Sequence, residues 1–232
     1  MKLPSLSIFF PAFNEEKNIK PVLQKTLKIA PKISNKFEII VVNDGSSDNT
    51  ADVVKEIIKN NPNVHLVEHK KNLGYGAALR SGFYKSKYEY ITYMDSDGQF
   101  DFKDIYKLIN GLGGSDLAIG FRIKRADPLL RKVNGKLWNL LISILLGLKI
   151  IDIDCGFKLM RKKVIENIPK LTSNGATISA ELLVKSKREG FKIVQVGLPH
   201  HPRLFGSNTH GNLLHMFRAF KDLFVLLKKV YF

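Results

Sequence analysis

Five short apolar runs, separated by amphipathic stretches, constrain the fold of this 232-residue chain more than any other feature. The runs are Leu6–Phe10, Phe37–Val42, Val64–Glu68, Tyr90–Met94 and Asp116–Gly120. Several are continuous rather than alternating in polarity, as in strands covered on both faces. Helical patterns lie between them, near residues 15–30, 48–60, 75–87 and 102–112. This alternation predicts βαβ units, and so an α/β fold on a mostly parallel central sheet with flanking helices. No internal repeat or low-complexity linker interrupts the pattern.

In such sheets ligands bind beyond the carboxyl ends of the strands. Four polar or glycine-rich segments fall at those ends. They are Pro11-Ala12-Phe13-Asn14-Glu15-Glu16, Asn43-Asp44-Gly45-Ser46-Ser47-Asp48, Asn72-Leu73-Gly74-Tyr75-Gly76 and Asp95-Ser96-Asp97-Gly98-Gln99. Each has a plain reading as a turn or helix start: Asp44-Gly45 is a turn pair, and Ser47 or Asp48 suits an N-cap. Four in succession read as the rim of one cleft. Gly74 and Gly76 beside a helix start would let a phosphate approach backbone N–H groups. No dinucleotide fingerprint or P-loop is present. In the fourth segment, Asp95, Asp97 and Gln99 place oxygen ligands at alternate positions after an apolar run. Such ligands suit a hard divalent cation, Mg²⁺ or Mn²⁺, with open positions for phosphate oxygens.

The formal net charge of +16 favours a polyanionic partner: nucleic acid, anionic lipid headgroups or a phosphorylated substrate. The basic residues are spread along the chain and no nucleic-acid motif accompanies them, so nucleic acid is not the expected partner. The single cysteine, Cys155, cannot form an internal disulfide. The start of the chain does not read as a signal peptide, and no run reaches the ~20 apolar residues of a membrane span.

Together, in this order, the four segments resemble family 2 glycosyltransferases of the GT-A fold, a Rossmann-like architecture. The similarity covers roughly residues 5–210 and is greatest to the polyprenol-phosphate mannose and glucose synthases. The resemblance implies that Pro11, Phe13 and Glu15 hold the nucleotide base and ribose, and that Asp44 also contacts the nucleoside. It implies a metal site at Asp95, Asp97 and Gln99 that binds the sugar-nucleotide diphosphate. Gly120-Phe121-Arg122 resembles a Gly-x-Arg after the next strand. Asp152 to Lys158 resembles an acceptor-side Asp-x-x-x-Gly-Phe-Arg, and Arg203 to Gly206 the start of an Arg-x-x-Gly-x-Ser-Lys. The departures are Lys158 where Arg is common, Asn208 and Thr209 in place of Ser-Lys, and Phe102 after Asp101 where Pro is usual.

The chemistry implied is inverting transfer of a hexose from a nucleotide sugar, GDP-mannose or a UDP-hexose, to a polyprenyl phosphate. A lipid phosphate is already anionic and needs mainly positioning, for which Arg122, Arg131 and Arg203 are the candidates. A hydroxyl acceptor on a glycan or glycolipid is the alternative and would need a base. Asp152 or Asp154 would serve, unless they are loop acids paired with Lys149 or Arg161. Glu181 reads as a helix-surface acid, with a cleft-facing position as the alternative. The histidines His200, His201, His210 and His215 lack the partners of a zinc site.

Two stretches bear on membranes. Leu137 to Ile151 is nearly all apolar, too short for a span but suited to a buried or interfacial helix. Leu213, Phe217, Phe220, Phe224, Leu227 and Tyr231 form one helical stripe, with Arg218, Lys221, Lys228 and Lys229 among them. Residues 211–232 are thus expected as an amphipathic helix appended to a catalytic domain of residues 1–210. It would close the core, contact a second copy, or lie on an anionic bilayer. On the last reading the protein is peripheral on the cytoplasmic face of a membrane, alone or with a separate membrane-protein partner.

Overall fold

The structure is a computed structural model that describes residues 2–123, 129–203, 205–206 and 220–228, with no side-chain description at 129–132 and 134. The first half alternates as expected: β1 (Leu3–Ala12), α1 (Glu16–Ile33), β2 (Ser34–Asn43), α2 (Thr50–Ile58), β3 (Val64–Glu68), α3 (Tyr75–Lys85) and β4 (Tyr90–Met94). A 3₁₀ turn at Phe102–Asp104 leads into α4 (Ile105–Leu112) and β5 (Leu117–Ile123). Then follow α5 (Leu129–Leu146), β6 (Phe157–Arg161), α6 (Lys162–Asn167), α7 (Ile178–Arg188) and β7 (Ile193–Pro199). A last helix, α8, occupies 220–228.

The seven strands form one sheet in the order β3-β2-β1-β4-β6-β5-β7. All adjacent pairs are parallel except those of β6, which runs antiparallel to both β4 and β5. This reversal positions the site. The carboxyl ends of β1 to β5 and of β7 share one edge, and the reversed β6 begins at that same edge. The loop before β6 therefore joins the strand-end loops. The apolar runs at 6–10 and 37–42 did not announce this strand. It is five residues long, and α6 follows it directly.

Both faces of the sheet are covered, which explains the continuous apolar runs. On one side Leu6, Ile8 and Phe10 of β1 pack with Ile19 and Leu23 of α1 and Leu108 of α4. On the other, Phe9 packs with Leu79 and Phe83 of α3 and with Tyr93 of β4. Phe9 lies 5.1 Å from the Phe83 ring, edge-on, and stacks 5.4 Å from Tyr93. Gly82 lets this happen, because the Phe9 ring fills the space its Cβ would need. Truncating such a fully buried aromatic costs about 3–5 kcal/mol.

Phe102, standing where Pro is usual, is buried and stacks on Phe157, while the Asp101 carboxylate caps the turn from Lys103 N–H. The departure is thus a core residue. In α8, Leu223 and Leu226 are buried in the core, whereas Phe220 and Phe224 are exposed. Of the expected stripe, Leu227 packs against the core beside Leu223 and Leu226, while Phe220 and Phe224 do not. Leu213, Phe217, Arg218, Lys229 and Tyr231 lie outside the described residues, as do Asn208, Thr209, His210, His215, the boundary at 210 and the Arg131 side chain.

Candidate active site

The Asp95-to-Gln99 loop leaves the end of β4 and is fixed at its base. Asp95 N–H donates to Gly156 O at 3.0 Å, and Ser96 Oγ donates to Pro11 O at 2.7 Å. The loop is thereby tied to both neighbours of β4, the start of β6 and the end of β1. Tyr75, the first residue of α3, donates its hydroxyl to Asp95 Oδ1 at 2.8 Å. Burial and the adjacent Asp95 raise the Tyr75 phenol well above its ordinary value, so it keeps its proton and donates.

Asp95 and Asp97 are neighbouring carboxyls that both resist ionisation. Burial first, and Asp97 second, push the Asp95 carboxyl up to about 7. Burial also raises Asp97, against the Gln99 N–H that bonds its Oδ1 at 3.0 Å and the cations nearby. Two half-buried hard oxygen donors whose ionised forms disfavour each other are a set that a divalent cation would suit. Among the described residues no three His, Cys, Asp or Glu side chains group as a fuller metal set. A cation here would rest on two protein carboxylates and draw its remaining ligands from diphosphate and water, which fits Mg²⁺ or Mn²⁺ better than zinc. Gln99 gives its side-chain N–H to His201 O at 3.1 Å, which leaves its amide oxygen as the only atom it could offer.

Arg203 brings the chain after β7 into the same place. Its Nη2 lies 2.6 Å from Glu15 Oε1, its Nη1 3.6 Å from Asp97 Oδ2, and its Nε donates to Phe205 O at 2.7 Å. Glu15 also accepts from Asn18 Nδ2 at 2.7 Å. Burial raises the Glu15 carboxyl despite Asn18 and Arg203. Phe13, next to it, is exposed at the rim. Asn14 takes a left-handed φ of 56° so that its Oδ1 can accept Ser47 N–H at 2.8 Å, locking the first loop to the second.

Several expectations are corrected. The N–H groups of Leu73 and Gly74 are not open to a phosphate: both donate to Asp44 at 2.9 Å. Gly76 N–H donates to Asn174 O at 2.7 Å. These glycines admit a backbone instead, since a Cβ on Gly74 would lie 2.6 Å from Asn174 O and one on Gly76 would overlap Ser173 O. Asp44 is buried, and His69 Nδ1 lies 2.6 Å from its Oδ1. Ser81 Oγ lies 2.8 Å from His69 Nε2. With one oxygen shared between His69 and a backbone amide and the other taken by Gly74, this Ser–His–Asp chain is a strut between β2, β3 and α3.

Arg122 and Asp152 are joined to each other. Arg122 Nε and Nη2 lie 2.6 and 2.7 Å from the two Asp152 oxygens, and Arg122 N–H adds a third bond at 3.1 Å. Asp152 is thus paired with Arg122, neither with Lys149 nor with Arg161, and Arg122 is held rather than free to swing. Asp154 is pushed up to about 6 by burial and by Asp152. Lys158, expected on the acceptor side, is turned into the protein. It is fully buried and donates to the carbonyls of Ile153 (3.2 Å) and Cys155, shaping the loop beneath the carboxylates. Glu181 is neither a surface nor a cleft acid. It is completely buried and accepts from Thr172 and Ser173 N–H and, at 2.7 Å, from Lys185 Nζ.

Comparison with known proteins bears on the family and the fold. The family model described as "Glycosyl transferase family 2" matches residues 7–169. A dodecaprenyl-phosphate galacturonate synthase of Rhizobium johnstonii is 31% identical over 94% of this chain; the chain spans 65% of that protein's own length. A polyprenol monophosphomannose synthase of Mycolicibacterium smegmatis is 29% identical over 86% of this chain and 78% of its own length. Among solved structures, glucosyl-3-phosphoglycerate synthase of Mycobacterium tuberculosis, in complex with Mn²⁺, UDP-glucose and phosphoglyceric acid, superposes with a TM-score of 0.75 at 18% identity. That match covers 97% of this chain and 80% of the other, and shows a shared fold.

Proposed function

The chain belongs to glycosyl transferase family 2, and from that premise we propose that it transfers a hexose from a nucleotide sugar to a polyprenyl phosphate, with inversion, at a membrane surface. The observation that carries this reading is the meeting of Asp95, Asp97, Glu15 and Arg203 at one sheet edge. In this reading two carboxylates that would bind a cation lie beside a guanidinium that a phosphate could capture. The names of the relatives above support the acceptor class.

In this reading Asp95 and Asp97 hold Mg²⁺ or Mn²⁺, and Gln99 has one oxygen to add. When bound, the cation supplies Lewis-acid stabilisation of the departing diphosphate. Pro11, Phe13 and Glu15 line the nucleoside side, and Asp44 acts by fixing the neighbouring loop at Leu73 and Gly74. Arg203 bridges two carboxylates; an arriving phosphate would compete with them for its planar fork. Arg122 and Asp152 shape the acceptor side as a rigid pair. The acceptor phosphate, anionic at neutral pH, attacks the anomeric carbon without a protein base. A hydroxyl acceptor is the second reading, favoured by Asp154, whose raised carboxyl near 6 would suit a general base.

The membrane surface is supported by an apolar stripe on α5. Val133, Leu137, Leu140 and Ile144 recur at 4-3-4 spacing and are all exposed, the last at 69%. Phe220 and Phe224 of α8 are also exposed, and Phe220 touches Trp138 of α5, with ring centroids 5.4 Å apart. Lys136, Lys149, Lys221 and Lys228 are exposed around them, and each basic residue near an anionic bilayer contributes about 1 kcal/mol. No described helix is long and apolar enough to cross a membrane. We further propose a peripheral position on the cytoplasmic face of a membrane, with or without a membrane-protein partner.

The test is incubation with polyprenyl phosphate and a panel of radiolabelled nucleotide sugars, GDP-mannose and UDP-hexoses included. An acid-labile, butanol-extractable product supports the reading; label found only on a glycan hydroxyl would favour the second.

A further inference from the structure

We propose that Tyr75 is a positioning residue for the cation site, fixing the Asp95 carboxylate in the orientation that binds metal. The inference rests on the metal reading of Asp95 and Asp97. Asp95 is held at three points. Its N–H bonds Gly156 O, its carboxylate lies against Gly156 where a Cβ would sit, and Tyr75 donates to its Oδ1 at 2.8 Å. Without the third contact the carboxylate could turn about its side-chain bonds.

The backbone that carries the phenol is held in place from several sides. Tyr75 is the first residue of α3, after Gly74 with a left-handed φ of 96°. Asp44 accepts from the two preceding N–H groups, Leu73 and Gly74. Gly76 N–H bonds Asn174 O, and Arg80, one turn further on, donates to Ser173 O and, at 2.6 Å, to Asn174 Oδ1. The 172–174 loop is in turn anchored by the buried Glu181. A hydrogen bond from so fixed a donor restricts its acceptor, and removal of such supporting contacts to metal ligands costs 10–100-fold in metal affinity.

The experiment measures Mn²⁺ binding by the loss of the free-ion electron paramagnetic resonance signal, in the presence of UDP and, separately, GDP. It uses wild type, Tyr75→Phe and Asp97→Asn; nucleotide affinity without metal and melting temperature are measured on the same preparations. Tyr75→Phe should bind Mn²⁺ about 10-fold more weakly, with metal-free nucleotide affinity unchanged and a melting temperature within a few degrees of wild type. Asp97→Asn should lose Mn²⁺ binding. If Tyr75→Phe binds Mn²⁺ like wild type while Asp97→Asn does not, the role of Tyr75 is overturned and the metal reading stands. If Asp97→Asn binds like wild type, the metal reading falls and the inference with it. Equal weakening of metal-dependent and metal-free nucleotide binding in Tyr75→Phe would mark a structural role and also overturn the proposal.

Discussion

Gly156 stands directly behind the carboxylate of Asp95: the two share a backbone hydrogen bond of 3.0 Å, and a Cβ on Gly156 would overlap the Asp95 oxygens. The glycine of the Asp-x-x-x-Gly-Phe segment is therefore needed by Asp95 of the other carboxylate segment, 61 positions earlier in the chain. Gly156→Ala should displace Asp95, at a stability cost of about 1–3 kcal/mol from overpacking. Sugar transfer should fall by at least about 100-fold, the loss of about 2.7 kcal/mol of transition-state stabilisation. Transfer rates and thermal melts on the same preparation check this; full activity would show that Asp95 need not sit where it does.

Arg122 and Asp152 form a largely buried bidentate pair, with side-chain exposures of 17% and 6%. Breaking a buried pair is strongly destabilising, so Asp152→Ala and Arg122→Ala should each destabilise by about 3–5 kcal/mol. The double variant should cost much less than the sum. Denaturant unfolding of the four proteins measures the coupling. Additive losses would mean the pair is not an energetic unit.

How much of this could be read from the sequence depended on where each fact is encoded. The apolar runs of β1, β2, β4 and β5 record burial on both sheet faces and so expose the fold. The expected cation loop did follow β4, and Glu15 and Arg203 do meet near it. The partners were hidden because they are long-range. Tyr75 reaches Asp95, Arg122 takes Asp152, and Asp44 spends its carboxylate on Leu73 and Gly74 rather than facing a ligand. Gly74 and Gly76 looked like a phosphate cradle because glycine signals close approach without saying of what; here it is the 173–174 backbone. Glu181 looked like a surface acid because its companions, the amides of Thr172 and Ser173, leave no mark in composition.

Glu181 sets an acid limit on stability. Burial alone would raise its carboxyl, but Lys185 and the N–H groups of Ser173 and Thr172 outweigh burial and hold it below its ordinary value of 4.5. A group depressed in the folded state stabilises above its unfolded pKa, and that contribution is lost as pH falls through the folded value. Between pH 7 and 5 the contribution should be constant; below about 4.5 it should decline. Glu181→Gln should be less stable at pH 7 and lose less between pH 5 and 3. Thermal melts across that range test the sign, and parallel curves for the two proteins would refute it.

The exposed stripe on α5 predicts a membrane phenotype separable from folding. Leu137→Ser, Leu140→Ser and Ile144→Ser combined remove three apolar side chains that are 59%, 57% and 69% exposed. Transfer of such side chains from water stabilises by about 1.5–3 kcal/mol each when complete. Co-sedimentation with phosphatidylglycerol vesicles should weaken by at least about 10-fold, with the melting temperature unchanged. Wild-type binding should also fall in high salt as the lysine attraction is screened. Undiminished sedimentation of the triple variant would place the membrane contact elsewhere.

The central claim is that Asp95 and Asp97 hold a divalent cation for sugar transfer to a lipid phosphate. Its most direct test is formation of labelled polyprenyl-phosphate sugar, with release of nucleoside diphosphate, by wild type and Asp97→Asn, each with Mn²⁺ or Mg²⁺ and with excess EDTA. The account predicts product only from wild type with metal, and a normally folded but inactive Asp97→Asn. Equal product from Asp97→Asn, or from wild type in EDTA, would contradict it.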